Sequence, residues 1–186
     1  MILQLATWWV EHLVPGDIEE DDKAVYLYGA ECFINEALSD IVLFIGGLLL
    51  GRLPEVILWT IGFTVLRVNV GGYHAPSHFL CISLSTIVGL SSVLLNPLWI
   101  RFPYATGVIL VLIILLIAYL APVLHRNRPI SLPEQAQIKR KAIIITVVES
   151  LLICLFWNIP LISASLTGAL VTVTVLAILG YFVNPK

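Results

Sequence analysis

Charge is what this sequence has least of. Of its 186 residues only 12% are charged, while 59% are hydrophobic and the mean hydropathy is +0.99. A soluble domain of this length needs far more polar cover, so a soluble globular protein is excluded. Cysteine is also sparse: Cys32, Cys81 and Cys154 are an odd number on separate segments. That excludes a disulfide framework and fits a reducing, cytoplasm-facing site. The opening MILQLATWWVEHLV lacks a basic start and no small-residue cleavage site follows it, so no cleavable signal peptide is expected. No repeat of fixed period and no low-complexity tract interrupts the chain.

What the chain has instead is long apolar runs. Residues 102–124 and 150–185 carry no charge at all, and each exceeds the roughly 18–20 residues that cross a bilayer as helix. The fold class that follows is all-α, a polytopic integral membrane bundle of about six transmembrane helices. Residues 24–182 are expected to form it as one membrane-embedded domain, with helices at 24–52, 54–67, 82–100, 104–124, 142–158 and 161–182. An acidic linker, 15–23, precedes the bundle. Residues 1–14 read as an amphipathic helix lying in the interface, its polar stripe made by Gln4, Thr7 and Glu11. Hydrophilic loops are expected at 67–81 and 125–141.

The basic residues orient this arrangement. With the 125–141 loop in the cytoplasm, Lys23, Arg67, Arg126, Arg128, Lys139, Arg140, Lys141 and Lys186 lie inside, and only Arg52 and Arg101 outside. The expected localisation is therefore the cell membrane, multi-pass, with both termini and the 67–81 segment on the cytoplasmic side.

That segment, RVNVGGYHAPSHFLC, carries the chemistry. Gly71, Gly72 and Pro76 resist helix, so the chain turns there, and Ala75 or Ser77 is the expected N-cap of the next helix. Cys81 then falls within the first two turns, where free backbone N–H groups and the helix dipole favour an anion and hence a thiolate. Two histidines compete as its base. His74 requires the loop to fold back over the helix end, whereas His78 lies three residues before Cys81 on the same face. Spacing alone does not choose, and a metal site from His74, His78 and Cys81 is a competing chemistry with no evident fourth ligand. Cys154, within LLICLFW, and Cys32 read as packing or structural residues.

The arginine, the glycine and histidine, and the cysteine seven residues after that histidine resemble the pattern of the AgrB family. These are membrane cysteine peptidases that process quorum-sensing peptide precursors. Arg67, Gly72, His74 and Cys81 stand at that spacing. The segment APVLHRNRPISLPEQAQIKRK is similar to a second family motif through Ala121, Pro122, Val123, Asn127, Arg128, Pro129, Glu134 and Lys139 to Lys141. The early YGAE, with Gly29 and Glu31, also looks like a family feature. The resemblance spans nearly the whole chain.

The resemblance implies a thiol protease with Cys81 as nucleophile and His74 as base, no metal and no cofactor. It implies cleavage of the C-terminal tail of an AgrD-like precursor and its cyclisation, through an acyl-enzyme thioester, to a thiolactone or lactone autoinducing peptide intermediate. Arg67 is expected to bind a substrate carboxylate or to orient the loop, and Glu31 to pair with Arg67 or hold His74. Lys139, Arg140 and Lys141 are expected to draw the precursor's acidic tail or lipid headgroups. Expected partners are the precursor, membrane lipid and a second copy of the chain, with no nucleic acid. Two non-peptidase readings stand beside this one, a membrane peptide transporter and a non-enzymatic scaffold. Transporters commonly carry repeats and broken helices at the bilayer midplane. This chain instead gathers its polar residues at one surface.

Overall fold

The computed structural model describes residues 2–14, 20–73, 75, 77–123 and 131–183. His74, Pro76, most of the acidic linker, residues 124–130 with Arg126, Asn127, Arg128 and Pro129, and Lys186 lie outside the described residues. Eight helices account for nearly all of what is described: α1 (Ile2–Leu13), α2 (Glu20–Leu49), α3 (Leu53–Val70), α4 (His78–Leu94), α5 (Asn96–Arg101), α6 (Pro103–Leu120), α7 (Leu132–Leu155) and α8 (Pro160–Val183). Proline opens α3, α5, α6 and α7 in the first turn, where its missing N–H breaks no helical bond.

The all-α membrane bundle is as expected. Among the described residues five spans are long and apolar enough to cross a bilayer: residues 22–49, 53–70, 78–101, 103–120 and 160–183. The expected sixth is α7, whose 24 residues reach about 36 Å. It carries Lys139, Arg140, Lys141 and Glu149 within that length, which sets it apart from the other five. Large apolar side chains such as Leu49, Tyr104, Leu115 and Leu151 stay exposed on the outside, a surface that water does not tolerate and hydrocarbon does.

Several boundaries differ from expectation: α2 already begins at Glu20, inside the expected 15–23 linker, and α3 runs on to Val70. The hydrophilic segment 125–141 is not loop to its end, because α7 begins at Leu132. Ser131 and Glu134 start it early: the Glu134 carboxylate accepts from the Ser131 backbone N–H at 3.0 Å and from its hydroxyl at 2.7 Å, a capping-box contact. Lys139, Arg140 and Lys141 are therefore helical. The third span is also not one helix. It breaks at Leu95, between α4 and α5, because Pro97 cannot supply the N–H that an uninterrupted helix needs there.

The bundle closes around α8, which packs on α3, α4, α5, α6 and α7. Ser163, Ser165, Gly168, Ala169 and Ala177 keep its surface small, so the neighbouring backbones come close. Leu66, Val70, Ile117, Ile153, Leu170 and Val173 fill the main core between these helices. A second cluster joins α2, α3 and α4 through Leu43, Val56, Trp59 and Val93. There the Trp59 indole N–H donates to Ser92 at 3.0 Å. The helix α1 lays Ala6 and Val10 against α2, with Trp9 on Phe33 at 5.7 Å, and leaves Leu3, Leu5, Trp8 and Leu13 exposed. At about 18 Å it is too short to cross a bilayer.

Candidate active site

The site is built where α3 runs out. The helix continues to Val70, so Arg67 stands on its last turn rather than in a loop. Gly71 and Gly72 follow with φ of 74° and 137°, backbone that side chains rarely adopt, and here glycine is required. Space enforces the same choice. A Cβ on Gly71 would stand 2.6 Å from the Val123 carbonyl oxygen, and one on Gly72 would meet the Arg67 guanidinium and lie 2.7 Å from the Leu176 carbonyl oxygen.

Three elements grip this short stretch. Arg67 donates from Nη1 to the Gly71 carbonyl and from Nη2 to the Tyr73 carbonyl. The Val123 N–H donates to the Val70 carbonyl at 2.8 Å, and Gly71 pairs with Val123 as an isolated extended bridge. From α8, the Leu176 carbonyl accepts the Tyr73 N–H at 2.9 Å. The two motifs noted in the sequence, fifty residues apart, thus meet side by side at Gly71 and Val123. Of the two roles expected for Arg67, loop orientation is the one its hydrogen bonds serve.

Across the loop, α4 begins at His78 with Ser77 as N-cap, one of the two expected caps. The Ser77 hydroxyl accepts from the Leu80 N–H at 3.3 Å, and its carbonyl accepts from the Cys81 N–H at 2.9 Å. Cys81 therefore occupies the first full turn, half-buried, while His78 and Phe79 keep N–H groups with no helical acceptor. Among the described residues, the thiol and the Glu36 carboxylate lie within electrostatic reach of the Arg67 guanidinium.

Of the two partners expected for Glu31, Arg67 is not the one it meets: its Oε2 lies 3.7 Å from Nε2 of His78. Helix register explains the exchange. Helices α2 and α3 are antiparallel with Gly47 against Val56, and the same register carried eleven residues along sets Glu36, not Glu31, opposite Arg67. Glu31 faces α4 instead, on the same side of α2 as Gly46, which lies against Leu90. The alternative role, holding His74, falls outside the described residues. Gly29 stands in open space, with nothing near its missing side chain.

The basic cluster belongs to another helix. Lys139 is half-buried and Arg140 and Lys141 are exposed on α7, which packs on α3, α6 and α8. Glu149, two turns further along the same helix, faces the bundle interior. It is 6% exposed beside Gly62 of α3, and its Oε2 has no hydrogen-bond partner. Among the described residues no group of three or more His, Cys, Asp or Glu is arranged to hold a metal. Cys32 and Cys154 are free and exposed. Sequence reasoning missed Glu36, Leu176 and Gly180. The first was recoverable from antiparallel register with Arg67; the other two carried no local signal.

The profile of the accessory gene regulator B family, AgrB, matches residues 4–182. The chain belongs to the AgrB family. That family is linked to the processing of agr quorum-sensing peptides, so an AgrB protein works with a precursor peptide at a membrane. No curated protein and no solved structure matches the chain. In this AgrB chain the match runs from α1 to the end of α8 and takes in both motif segments and every element that grips the loop.

Proposed function

We propose that this chain is a membrane cysteine endopeptidase that removes the C-terminal tail of an AgrD-like precursor and cyclises what remains. One observation carries the reading: the loop that ends in Tyr73, the residue before His74 in the sequence, is fixed by Arg67, Val123 and Leu176, and the same Arg67 guanidinium lies within electrostatic reach of Cys81. So much backbone restraint around one thiol and one imidazole-bearing segment suits catalysis, which needs reacting groups held to a fraction of an ångström. Family membership supports the substrate class.

In this scheme His74 takes the Cys81 proton, and the Arg67 cation and the α4 terminus favour the thiolate. The sulfur attacks a backbone carbonyl carbon of the precursor. The free N–H groups of His78 and Phe79 are the donors nearest the α4 terminus for the oxyanion, a contribution of about 10²–10³ in rate where such donors are aligned. The C–N bond breaks, His74 returns the proton to the leaving amine, and the tail departs. A thioester to Cys81 is left. An internal cysteine or serine of the peptide then gives its proton to His74 and attacks the thioester, closing a thiolactone or lactone and releasing the Cys81 sulfur. Water must be excluded during this second step, because hydrolysis yields a linear peptide. Lys139, Arg140 and Lys141 draw the acidic tail or anionic lipid, and the site and both termini face the cytoplasm. A homodimer in the bilayer is compatible with the scheme.

The test uses the full chain in lipid vesicles, a precursor peptide and mass spectrometry. Wild type should release a tail fragment and carry a peptide adduct on Cys81. Cys81→Ala should release nothing, and His74→Ala should lose about 10²-fold or more, the usual worth of a general base. His78→Ala should keep substantial activity. Tail release by folded Cys81→Ala would end the assignment.

A further inference from the structure

The loop before His74 has a wall that neither motif contains. Helix α8 passes behind it, and Gly180 is the point of contact. A Cβ on Gly180 would stand 2.5 Å from the Tyr73 nitrogen and 2.7 Å from the Gly72 Cα, and would also meet the Gly72 carbonyl carbon. All three are backbone atoms, so no side-chain rotation relieves the contact.

The same glycine uncovers a hydrogen-bond acceptor. In a helix each Cβ tilts toward the N-terminus and lies over the turn before it. A side chain at position 180 would therefore shield the carbonyl of Leu176, one turn back. With glycine there, that carbonyl serves its own helix and also accepts the Tyr73 N–H at 2.9 Å. The loop has nowhere to retreat, because Arg67 and Val123 hold its other sides.

We propose that Gly180 is a positioning residue of the reaction: its missing side chain lets the loop dock on the Leu176 carbonyl and so holds Tyr73, the residue that precedes His74 in the sequence, against α8. This rests on the peptidase reading above. Adding one methyl group at position 180 must part the loop from α8 by about an ångström, a misplacement that can cost about 10²-fold in rate.

The experiment compares wild type, Gly180→Ala, Tyr73→Pro and Gly107→Ala in vesicles with the precursor peptide, alongside hydrogen exchange at the Tyr73 amide. Tyr73→Pro removes the donor N–H without adding bulk on α8. Gly107, with nothing near its missing side chain, is the control. Gly180→Ala and Tyr73→Pro should each lower kcat about 10²-fold with KM unchanged. In Gly180→Ala the Tyr73 amide should exchange faster while amides of α6 keep their protection, and Gly107→Ala should match wild type. Wild-type kcat in folded Gly180→Ala, or unchanged exchange at Tyr73, overturns the proposal. Collapse of the whole bundle in Gly180→Ala with normal kcat in Tyr73→Pro also overturns it, because the glycine is then a general packing position. A wild-type chain that releases no tail sinks the peptidase reading instead, and exchange at Tyr73 still decides whether Gly180 docks the loop.

Discussion

Arg67 shows what one side chain decides here. A guanidinium is a planar fork, and this one spans two carbonyls of the turn, Gly71 and Tyr73, while a thiol and a carboxylate lie within reach of its charge. A lysine at the same place would carry the charge but could not hold both carbonyls in one geometry. Arg67→Lys should therefore fold, keep its KM for the precursor and lose kcat by tenfold or more, since one hydrogen bond to a charged group is worth about 1.5–3 kcal/mol. Steady-state kinetics on vesicles separates this from the other role expected for Arg67. If the arginine gripped a substrate carboxylate, KM would rise and kcat would hold. Gly72 belongs to the same unit, because the space of its missing Cβ is taken by that guanidinium.

Helix α7 makes the corresponding point for an element. Its capping contact starts it at Leu132, which turns the basic cluster from loop into helix and leaves Glu149 deep in the bundle. Glu149 sits beside Gly62 with one oxygen unpartnered. A buried polar atom without a partner costs about 1–3 kcal/mol. Glu149→Met, close in volume and free of that cost, should raise the melting temperature in detergent. A gain of 1 kcal/mol corresponds to roughly 2–4 °C at this size. A fall in Tm would mean that the carboxyl stabilises the bundle. What the sequence made legible here, and what it hid, follows the range of each interaction. The apolar spans, the turn at Gly71–Gly72 and the placement of Cys81 near a helix start are properties of neighbouring residues, and they were readable. The partner of Glu31, the burial of Glu149 and the approach of Gly180 to Tyr73 depend on how separate helices align. A one-residue change of register between α2 and α3 would have given Arg67 a different neighbour, and no local pattern reports it.

On the scale of the whole molecule, the termini of several helices gather at one end. The last turns of α3 and α8 and the segment after α6 meet around Gly71–Tyr73, and Cys81 in the first turn of α4 is within electrostatic reach of Arg67 there. Arg67 stands there, while Arg52 and Arg101 sit where α3 begins and α5 ends, at the opposite end. The distribution of basic residues then predicts which end faces the cytoplasm. The three free cysteines make this measurable, because Cys32 and Cys154 are exposed, unpaired and not among the groups that grip the loop. The double variant Cys32→Ala, Cys154→Ala should retain precursor cleavage and leave Cys81 as the single thiol. A membrane-impermeant maleimide should then label Cys81 in inverted membrane vesicles and leave it unlabelled in right-side-out vesicles until detergent is added. Labelling from the outer face would reverse the bundle in the membrane. Under the proposed peptidase reading the thiol would then meet the precursor only after its export, and a reducing compartment would no longer explain why no cysteine of this chain is paired.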